Sequence, residues 1–178
     1  MKLQNILMTI AVFVCAIAVT SVSYADEAVE DFSFKDINGV THQFSEYKGK
    51  WVLVNYWGTY CPPCLEEIPD LVSFADKHKK DLVILGMDAG GTDVKSLQEF
   101  AAENMMQYVI APVQESTLTA FGILMGIPTT YIITPEGQVA GKVIGIIDLD
   151  AVEQLMREHA GGGSVTKADQ AADEILDL

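Results

Sequence analysis

The sequence predicts one α/β domain in which helices cover a mixed central β-sheet. Two continuous apolar segments rich in β-branched residues, "WVLVNYW" (51–57) and "DLVILGMD" (81–88), are typical of strands buried on both faces of a sheet. A predicted helix follows each of these segments, and two further strands flank a tight turn later in the chain. With 178 residues, the chain is long enough for one domain with a substantial core.

Residues 1–25 have the features of a secretory signal peptide. A lysine precedes a nearly continuous apolar run, and small residues occupy the two positions that signal peptidase reads before a cut after Ala25. The apolar run is shorter than the roughly 20 residues that span a bilayer, so an uncleaved membrane anchor is the alternative. We therefore expect residues 26–160 to form the domain, and residues 161–178 to form a glycine linker and a flexible acidic tail.

The first elements of the domain are a hairpin, a buried strand and a long helix. "FSFKDINGVTHQFSEY" (32–47) alternates apolar and polar residues around Asn38-Gly39, which is a strong signal for a β-hairpin. After the strand at 51–57, a helix is expected from Pro62 to His78, because proline suits the first helical position.

The second half of the domain continues the alternation of strands and helices. After the buried strand at 81–88, the expected elements are a helix at 93–105, a strand at 108–110, a helix at 116–121, strands at 129–134 and 139–145, and a helix at 148–160. The last two strands flank the turn "PEGQ" and are expected to pair antiparallel. This order predicts a mixed sheet rather than a purely parallel one.

The composition excludes a nucleic-acid-binding surface and gives little support to a zinc site. The chain has 11 Lys and Arg against 25 Asp and Glu, a net charge of −14, and its one arginine is Arg157, whereas phosphate neutralisation needs clustered basic side chains. His42, His78 and His159 are far apart in sequence, and no second cysteine pair could complete a set of zinc ligands. "DAGGTD" (88–93) is not a phosphate-binding loop, because it lacks the required lysine and glycine spacing.

The segment "YWGTYCPPCLEEIP" (56–69) contains the two cysteines that are left after removal of the signal peptide. A helix that begins at Pro62 places Cys61 at its N-terminus, where unpaired backbone N–H groups and the helix dipole favour a thiolate. Cys64 then lies one turn into the helix, on the same face and close enough to form a disulfide. This arrangement suits an exposed nucleophile at Cys61 and a sheltered resolving thiol at Cys64.

Three functions are open to this cysteine pair. Thiol–disulfide exchange is favoured by the spacing of two cysteines in an exported chain. A purely structural disulfide would close too short a loop to stabilise the fold much. Capture of copper would need further soft ligands, for which Met105, Met106 and Met125 are the candidates, although packing is the commoner role of methionine.

The motifs "VNYWGTYCPPCLEEIP" (54–69) and "GIPTTYIITPEG" (126–137) together resemble the thioredoxin-like proteins of the bacterial envelope, of the ResA and TlpA type, which are related to AhpC/TSA and redoxin proteins. The resemblance covers about residues 30–160. It implies a thioredoxin fold with a mixed central sheet flanked by helices and an N-terminal β-hairpin extension, and thiol–disulfide oxidoreductase activity. It also implies that Pro128 is a cis-proline facing the disulfide, and that the Ile127 backbone pairs with an extended substrate.

The same resemblance assigns further residues to the site. Asn55 stands where thioredoxins carry a buried aspartate, and an amide can hydrogen-bond but cannot titrate. Glu67 is expected near the cysteines, where a desolvated carboxylate would have a raised pKa and could pass a proton to or from Cys64. The alternative is that Glu67 is a solvated residue of an acidic helix. Trp57 and Tyr60 are expected to frame the disulfide and to contact the substrate.

These features predict a periplasmic enzyme that reduces disulfides of exported proteins, with apocytochrome c as a possible substrate. Its redox group is the Cys61–Cys64 pair, with no separate cofactor and no metal, and a membrane thiol reductant of the DsbD or CcdA type is implied as the electron donor. Two alternatives stay open: a disulfide-inserting oxidant, or a non-catalytic thioredoxin-like module that binds unfolded chains or a soft metal.

Peroxidase chemistry, which related proteins of this fold perform, is not expected. Peroxiredoxins carry a threonine or serine three residues before the reactive cysteine, where this chain has Gly58. Their active-site arginine has no candidate here other than the distant Arg157.

Overall fold

The computed structural model describes residues 28–160. The predicted signal peptide (1–25) and the predicted linker and tail (161–178) lie outside the described residues. Within the described part of the chain, no helix is both long enough and apolar enough to cross a membrane.

A five-stranded mixed sheet forms the centre of the domain, and a two-stranded hairpin lies beside it. In chain order the strands are β1 (Ser33–Lys35), β2 (Thr41–Gln43), β3 (Trp51–Trp57), β4 (Leu82–Asp88), β5 (Val109–Pro112), β6 (Thr129–Ile133) and β7 (Val139–Ile144). The central sheet has the order β5-β4-β3-β6-β7, in which β3, β4 and β5 are parallel and the pairs β3–β6 and β6–β7 are antiparallel. The expected mixed sheet and its late antiparallel pair are therefore confirmed.

Strand β3 lies in the middle of this sheet and is buried along its whole length. Val54 and Tyr56 belong to the core on one face, whereas Leu53 and Trp57 belong to the core on the other. Successive side chains of a strand point to opposite faces, so a strand covered on both sides must be apolar throughout. This explains the continuous apolar run in the sequence.

Four helices flank the sheet: α1 (Pro62–Lys77), α2 (Val94–Glu103), α3 (Glu115–Phe121) and α4 (Leu149–Ala160). Side chains of α1, α2 and α4, such as Leu71, Leu97 and Val152, pack on the face that contains Leu53 and Trp57. The opposite face is covered by α3 and the hairpin. All four helices lie within a few residues of their predicted positions, as is usual for helix ends.

Two predicted segments differ from the structure. The short strand expected at 108–110 extends to Pro112, because Ala111 and Pro112 pair with the end of β4. The hairpin strands β1 and β2 form as expected, but the last four residues of the alternating segment, Phe44–Tyr47, form a 3-10 helix. That turn buries Phe44 against the hairpin core, and the Ser45 N–H donates to the Asp31 carboxylate at 2.8 Å.

Candidate active site

The two cysteines of the motif form a disulfide at the start of α1. Cys61 is the N-cap residue, with φ −96°, and Pro62 occupies the first helical position as predicted. The Cα atoms of the two cysteines are 5.2 Å apart, inside the roughly 4.4–6.8 Å that disulfides span. The Cys64 backbone N–H donates to the Cys61 sulfur at 3.4 Å. A donor of the first helical turn therefore already points at the sulfur that would carry the thiolate charge.

The expectation of an exposed Cys61 is wrong, because both cysteines are buried in the core cluster below the sheet's helical face. Their burial is nevertheless unequal: 5% of Cys61 is exposed, whereas Cys64 has no exposed surface. The Cys61 sulfur lies 3.7 Å from the carbonyl oxygen of Ile127, and the Ile127–Pro128 peptide bond is cis. Among the residues that the structure describes, the Ile127 N–H donates to no other group. A chain that reaches Cys61 therefore meets backbone groups of Ile127 that can hydrogen-bond to it.

Glu67 lies on the buried face of α1, one turn after Cys64, and only 3% of it is exposed. The Asn55 side-chain amide donates to Oε1 of Glu67 at 2.8 Å, and the Ile147 backbone N–H donates to Oε2 at 3.3 Å. Burial raises the pKa of Glu67 above its ordinary value, although both hydrogen bonds favour the charged form. The alternative of a solvated helix residue is therefore wrong for Glu67, while its neighbour Glu66 is exposed.

Asn55 connects this carboxyl group to the sheet. It is 1% exposed on β3, and its amide also donates to the Thr130 hydroxyl on β6 at 2.9 Å. Glu67 is consequently fixed by the sheet on one side and by the segment after β7 on the other. A buried carboxyl held in this way can accept and return a proton without moving.

The structure corrects the expected contact between Trp57 and the substrate. The Trp57 indole is 1% exposed and packs in the same core cluster as Cys61 and Cys64, 5.4 Å from the Phe100 ring. Because a buried ring offers no surface to a docked chain, Trp57 supports the disulfide from the protein interior instead.

Tyr60, in contrast, presents a large surface beside the disulfide. It is 67% exposed, and its ring lies against the two glycines Gly58 and Gly90. A Cβ atom added at Gly58 or Gly90 would lie 3.5 Å or 3.0 Å from Cε1 of Tyr60. The absence of side chains at these positions leaves room for the ring, whose exposed surface can contact a bound chain.

Sequence reasoning missed a chain of polar side chains behind the turn that precedes Cys61. The hydroxyl oxygens of Thr59 and Thr92 are 3.3 Å apart, and the Thr92 hydroxyl donates to Asp88 at 3.3 Å. The sequence feature that could have revealed these contacts is the aspartate at the end of a buried strand, followed closely by two glycines and a threonine.

The candidate soft-metal ligands are spread over different environments. Met105 and Met125 are 68% and 80% exposed, whereas Met106 is buried in the cluster that contains Cys61. Across residues 28–160, no group of three or more His, Cys, Asp or Glu side chains is placed to hold one metal ion.

Comparison with known proteins agrees with this geometry. Residues 25–142 match the AhpC/TSA family. The thiol-disulfide oxidoreductase ResA of Geobacillus kaustophilus is 31% identical over 126 residues, which are 70% of this chain and 71% of that protein.

Solved structures agree as well. A thiol:disulfide interchange protein of the thioredoxin family from Chlorobium tepidum has a TM-score of 0.67 and 24% identity, over 73% of this chain and 93% of that one. The exposed lipoprotein thioredoxin of Streptococcus pneumoniae has a TM-score of 0.61 and 25% identity, over 72% and 99% of the two chains. The fold is the thioredoxin fold, as the two motifs predicted.

A thioredoxin fold that carries an N-cap cysteine bonded to a buried one defines the class of thiol–disulfide oxidoreductases. The chain belongs to the AhpC/TSA family, and the ResA-type enzymes of that class are its relatives. It is therefore a thiol–disulfide oxidoreductase.

Proposed function

We propose that this enzyme is exported and reduces disulfides of other exported proteins, with apocytochrome c as one candidate substrate. The observation that carries the proposal is the asymmetry of the two cysteines: Cys61 caps the helix and keeps 5% of its surface exposed, whereas Cys64 is fully buried. Only the first is placed to attack a substrate, and only the second is protected from competing thiols.

In the first half of the reaction, the Cys61 thiolate attacks one sulfur of a substrate disulfide. A mixed disulfide forms, and the other substrate sulfur leaves as a thiolate that takes up a proton from water. The Cys64 N–H and the helix N-terminus stabilise the attacking thiolate. The Ile127 backbone and the exposed face of Tyr60 hold the substrate chain beside the cis-proline Pro128.

In the second half, Cys64 resolves the mixed disulfide. Its thiol gives a proton to the Glu67 carboxylate, and the resulting thiolate attacks the sulfur of Cys61. The Cys61–Cys64 disulfide forms, the reduced substrate leaves, and two electrons have passed to it. A membrane thiol reductant of the DsbD or CcdA type would return the enzyme to the dithiol form.

Disulfide insertion is the second candidate, and one feature of the site favours it. A helix N-terminus that stabilises the Cys61 thiolate also stabilises the reduced enzyme, which makes the disulfide form more oxidising. The resemblance to envelope reductants of the ResA and TlpA type favours the opposite direction, and we give it more weight.

The redox equilibrium of the pair decides between the two directions. The protein is equilibrated with defined thiol/disulfide buffers, and its free thiols are counted by alkylation and mass. A potential near or below about −270 mV supports the reductant, whereas a value near about −120 mV points to disulfide insertion. If the cysteine pair does not cycle between dithiol and disulfide, the remaining candidate is the non-catalytic binding module. In that case a Cys61→Ser variant should still bind its partner.

Export to the periplasm rests on the signal peptide predicted in residues 1–25, and a similar solved structure is described as an exposed lipoprotein. The alternative is an uncleaved N-terminal segment that anchors the chain in the membrane. Mass measurement of the exported protein separates the two, because cleavage after Ala25 leaves Asp26 as the first residue.

A further inference from the structure

The Asp88 carboxylate is buried at the end of β4, beside Trp57 of β3 in the sheet register. Its Oδ1 accepts from the Gly90 N–H at 3.2 Å and from the Thr92 hydroxyl at 3.3 Å. Its Oδ2 accepts from the Thr92 N–H at 2.9 Å. With three donors converging on it, the carboxylate is fixed in orientation and acts only as an acceptor.

These contacts determine the direction of the next hydrogen bond. A threonine hydroxyl has one hydrogen, and the Thr92 hydrogen is used in the bond to Asp88. In the 3.3 Å contact between the two threonine hydroxyls, Thr59 must therefore be the donor. The hydrogen of Thr59 points towards Thr92, and its unused lone pair points away from it.

Thr59 is well placed to use that lone pair. It lies two residues before Cys61 and is half-buried, next to the exposed Tyr60. A hydroxyl whose hydrogen is held inside the protein can act towards an incoming molecule only as an acceptor. The donors that an extended polypeptide offers along its length are backbone N–H groups.

We propose that Thr59 is a substrate-binding residue, which accepts a hydrogen bond from an N–H group of the polypeptide held at Cys61. Thr92, fixed by Asp88, is a positioning residue that keeps Thr59 in its acceptor orientation. The inference rests on the proposed function and specifies its substrate class: polypeptide disulfides with an N–H donor close to the reactive cysteine, in preference to small disulfides without one.

The test compares two disulfide substrates in single-turnover reduction by the full chain. Its Cys61–Cys64 pair is first reduced with dithiothreitol, which is then removed by desalting, so that the enzyme dithiol supplies the two electrons. One is a disulfide-bonded peptide, and the other is DTNB, an aryl disulfide that has no N–H group. Thr59→Val removes the acceptor, and Thr92→Val removes the hydroxyl that orients it, while both keep the shape of the side chain. Thr59→Ser and Thr92→Ser restore the hydroxyl, and Thr41→Val, at an exposed position of β2, is the matched control.

Each valine variant should raise about five-fold the peptide concentration that gives half of the maximal single-turnover rate, which is the ratio that corresponds to one net hydrogen bond. The maximal rate with the peptide and the rate with DTNB should stay at wild-type values, and the serine variants and Thr41→Val should match wild type. The unchanged DTNB rate also shows that a variant is folded.

Three results would overturn the inference. An unchanged half-saturating peptide concentration in the valine variants would show that Thr59 binds nothing. Equal losses with DTNB and peptide would show that the threonines only support the fold, and serine variants as defective as the valine ones would exclude the hydroxyl as the cause. A wild-type chain that reduces DTNB but no peptide would overturn the proposed function itself, and the inference with it.

Discussion

Replacement of Glu67 by glutamine tests whether its carboxyl group moves protons for Cys64. The side chain keeps its length, and the amide oxygen can still accept the Ile147 N–H. The new NH₂ group would face the Asn55 amide, which can turn over and accept from it and from the Thr130 hydroxyl. Since the hydrogen bonds of this side chain to Ile147 and Asn55 can be kept, we expect the free energy of unfolding at pH 5 to change by no more than about 1 kcal/mol.

The rate of resolution should change far more than the stability. Cys64 has no exposed surface, so bulk water does not take its proton directly. A positioned acid or base contributes about 10²–10⁴-fold to a proton-transfer step. We expect a loss near the lower end of that range, about 100-fold at pH 7, and a smaller loss at higher pH, where more of the thiol ionises without the help of a base.

The assay follows the mixed disulfide in a single turnover. Reduced enzyme is mixed with a peptide disulfide, and samples are quenched in acid, alkylated and analysed by mass spectrometry. The lifetime of the mixed-disulfide adduct gives the resolution rate. Glu66→Gln is the matched control, since it removes the same charge from the adjacent, exposed residue. Wild-type resolution rates in Glu67→Gln between pH 6 and 8 would refute the proton role, and an equal loss in Glu66→Gln would assign the effect to net charge.

Two further predictions concern stability. Because burial raises the pKa of Glu67, the native state binds this proton more tightly than the unfolded chain, and its stabilising effect is lost as the pH rises through the raised pKa. In urea titrations, the free energy of unfolding of wild type minus that of Glu67→Gln should therefore fall between about pH 4.5 and pH 8. A difference that stays constant over this range would contradict a raised pKa of Glu67. Gly86→Ala should lower the free energy of unfolding by about 1–3 kcal/mol, because the added Cβ would lie 3.0 Å from Tyr108 Cε2 and 3.2 Å from Trp57 Nε1. Gly141→Ala is the control for Gly86→Ala, because its added Cβ would lie at an ordinary 3.6 Å from Ile132 Cδ1. Equal losses of stability in the two variants would contradict steric crowding at Gly86 as the cause.

Much of the fold was predictable because local patterns determine it. The run at 51–57 is apolar at every position, and the structure buries every one of those residues in β3. Pro62 and Cys61 occupy the first helical and N-cap positions because proline, which lacks an N–H, is favoured at the first position of a helix. The turn at Asn38-Gly39 forms as predicted, with Gly39 at φ 80°.

The surroundings of the cysteines depended on contacts that no local pattern encodes. Asn55 and Ile147, the two partners of Glu67, are 12 and 80 residues from it in sequence. These contacts with Glu67 depend on how α1 packs on the sheet and on the position of the segment after β7. Trp57 was expected to frame the disulfide and contact the substrate, but the two-sided burial of β3 places its ring in the core.

The division of labour between the two cysteines is tested most directly by trapping the mixed disulfide. Cys64→Ser and Cys61→Ser variants are each incubated with a peptide disulfide, and covalent adducts are identified by mass. Cys64→Ser should accumulate an adduct through Cys61, whereas Cys61→Ser should form none in the same time, because Cys64 is fully buried. An adduct through Cys64, or none with either variant, would contradict thiol–disulfide exchange in which Cys61 is the attacking cysteine.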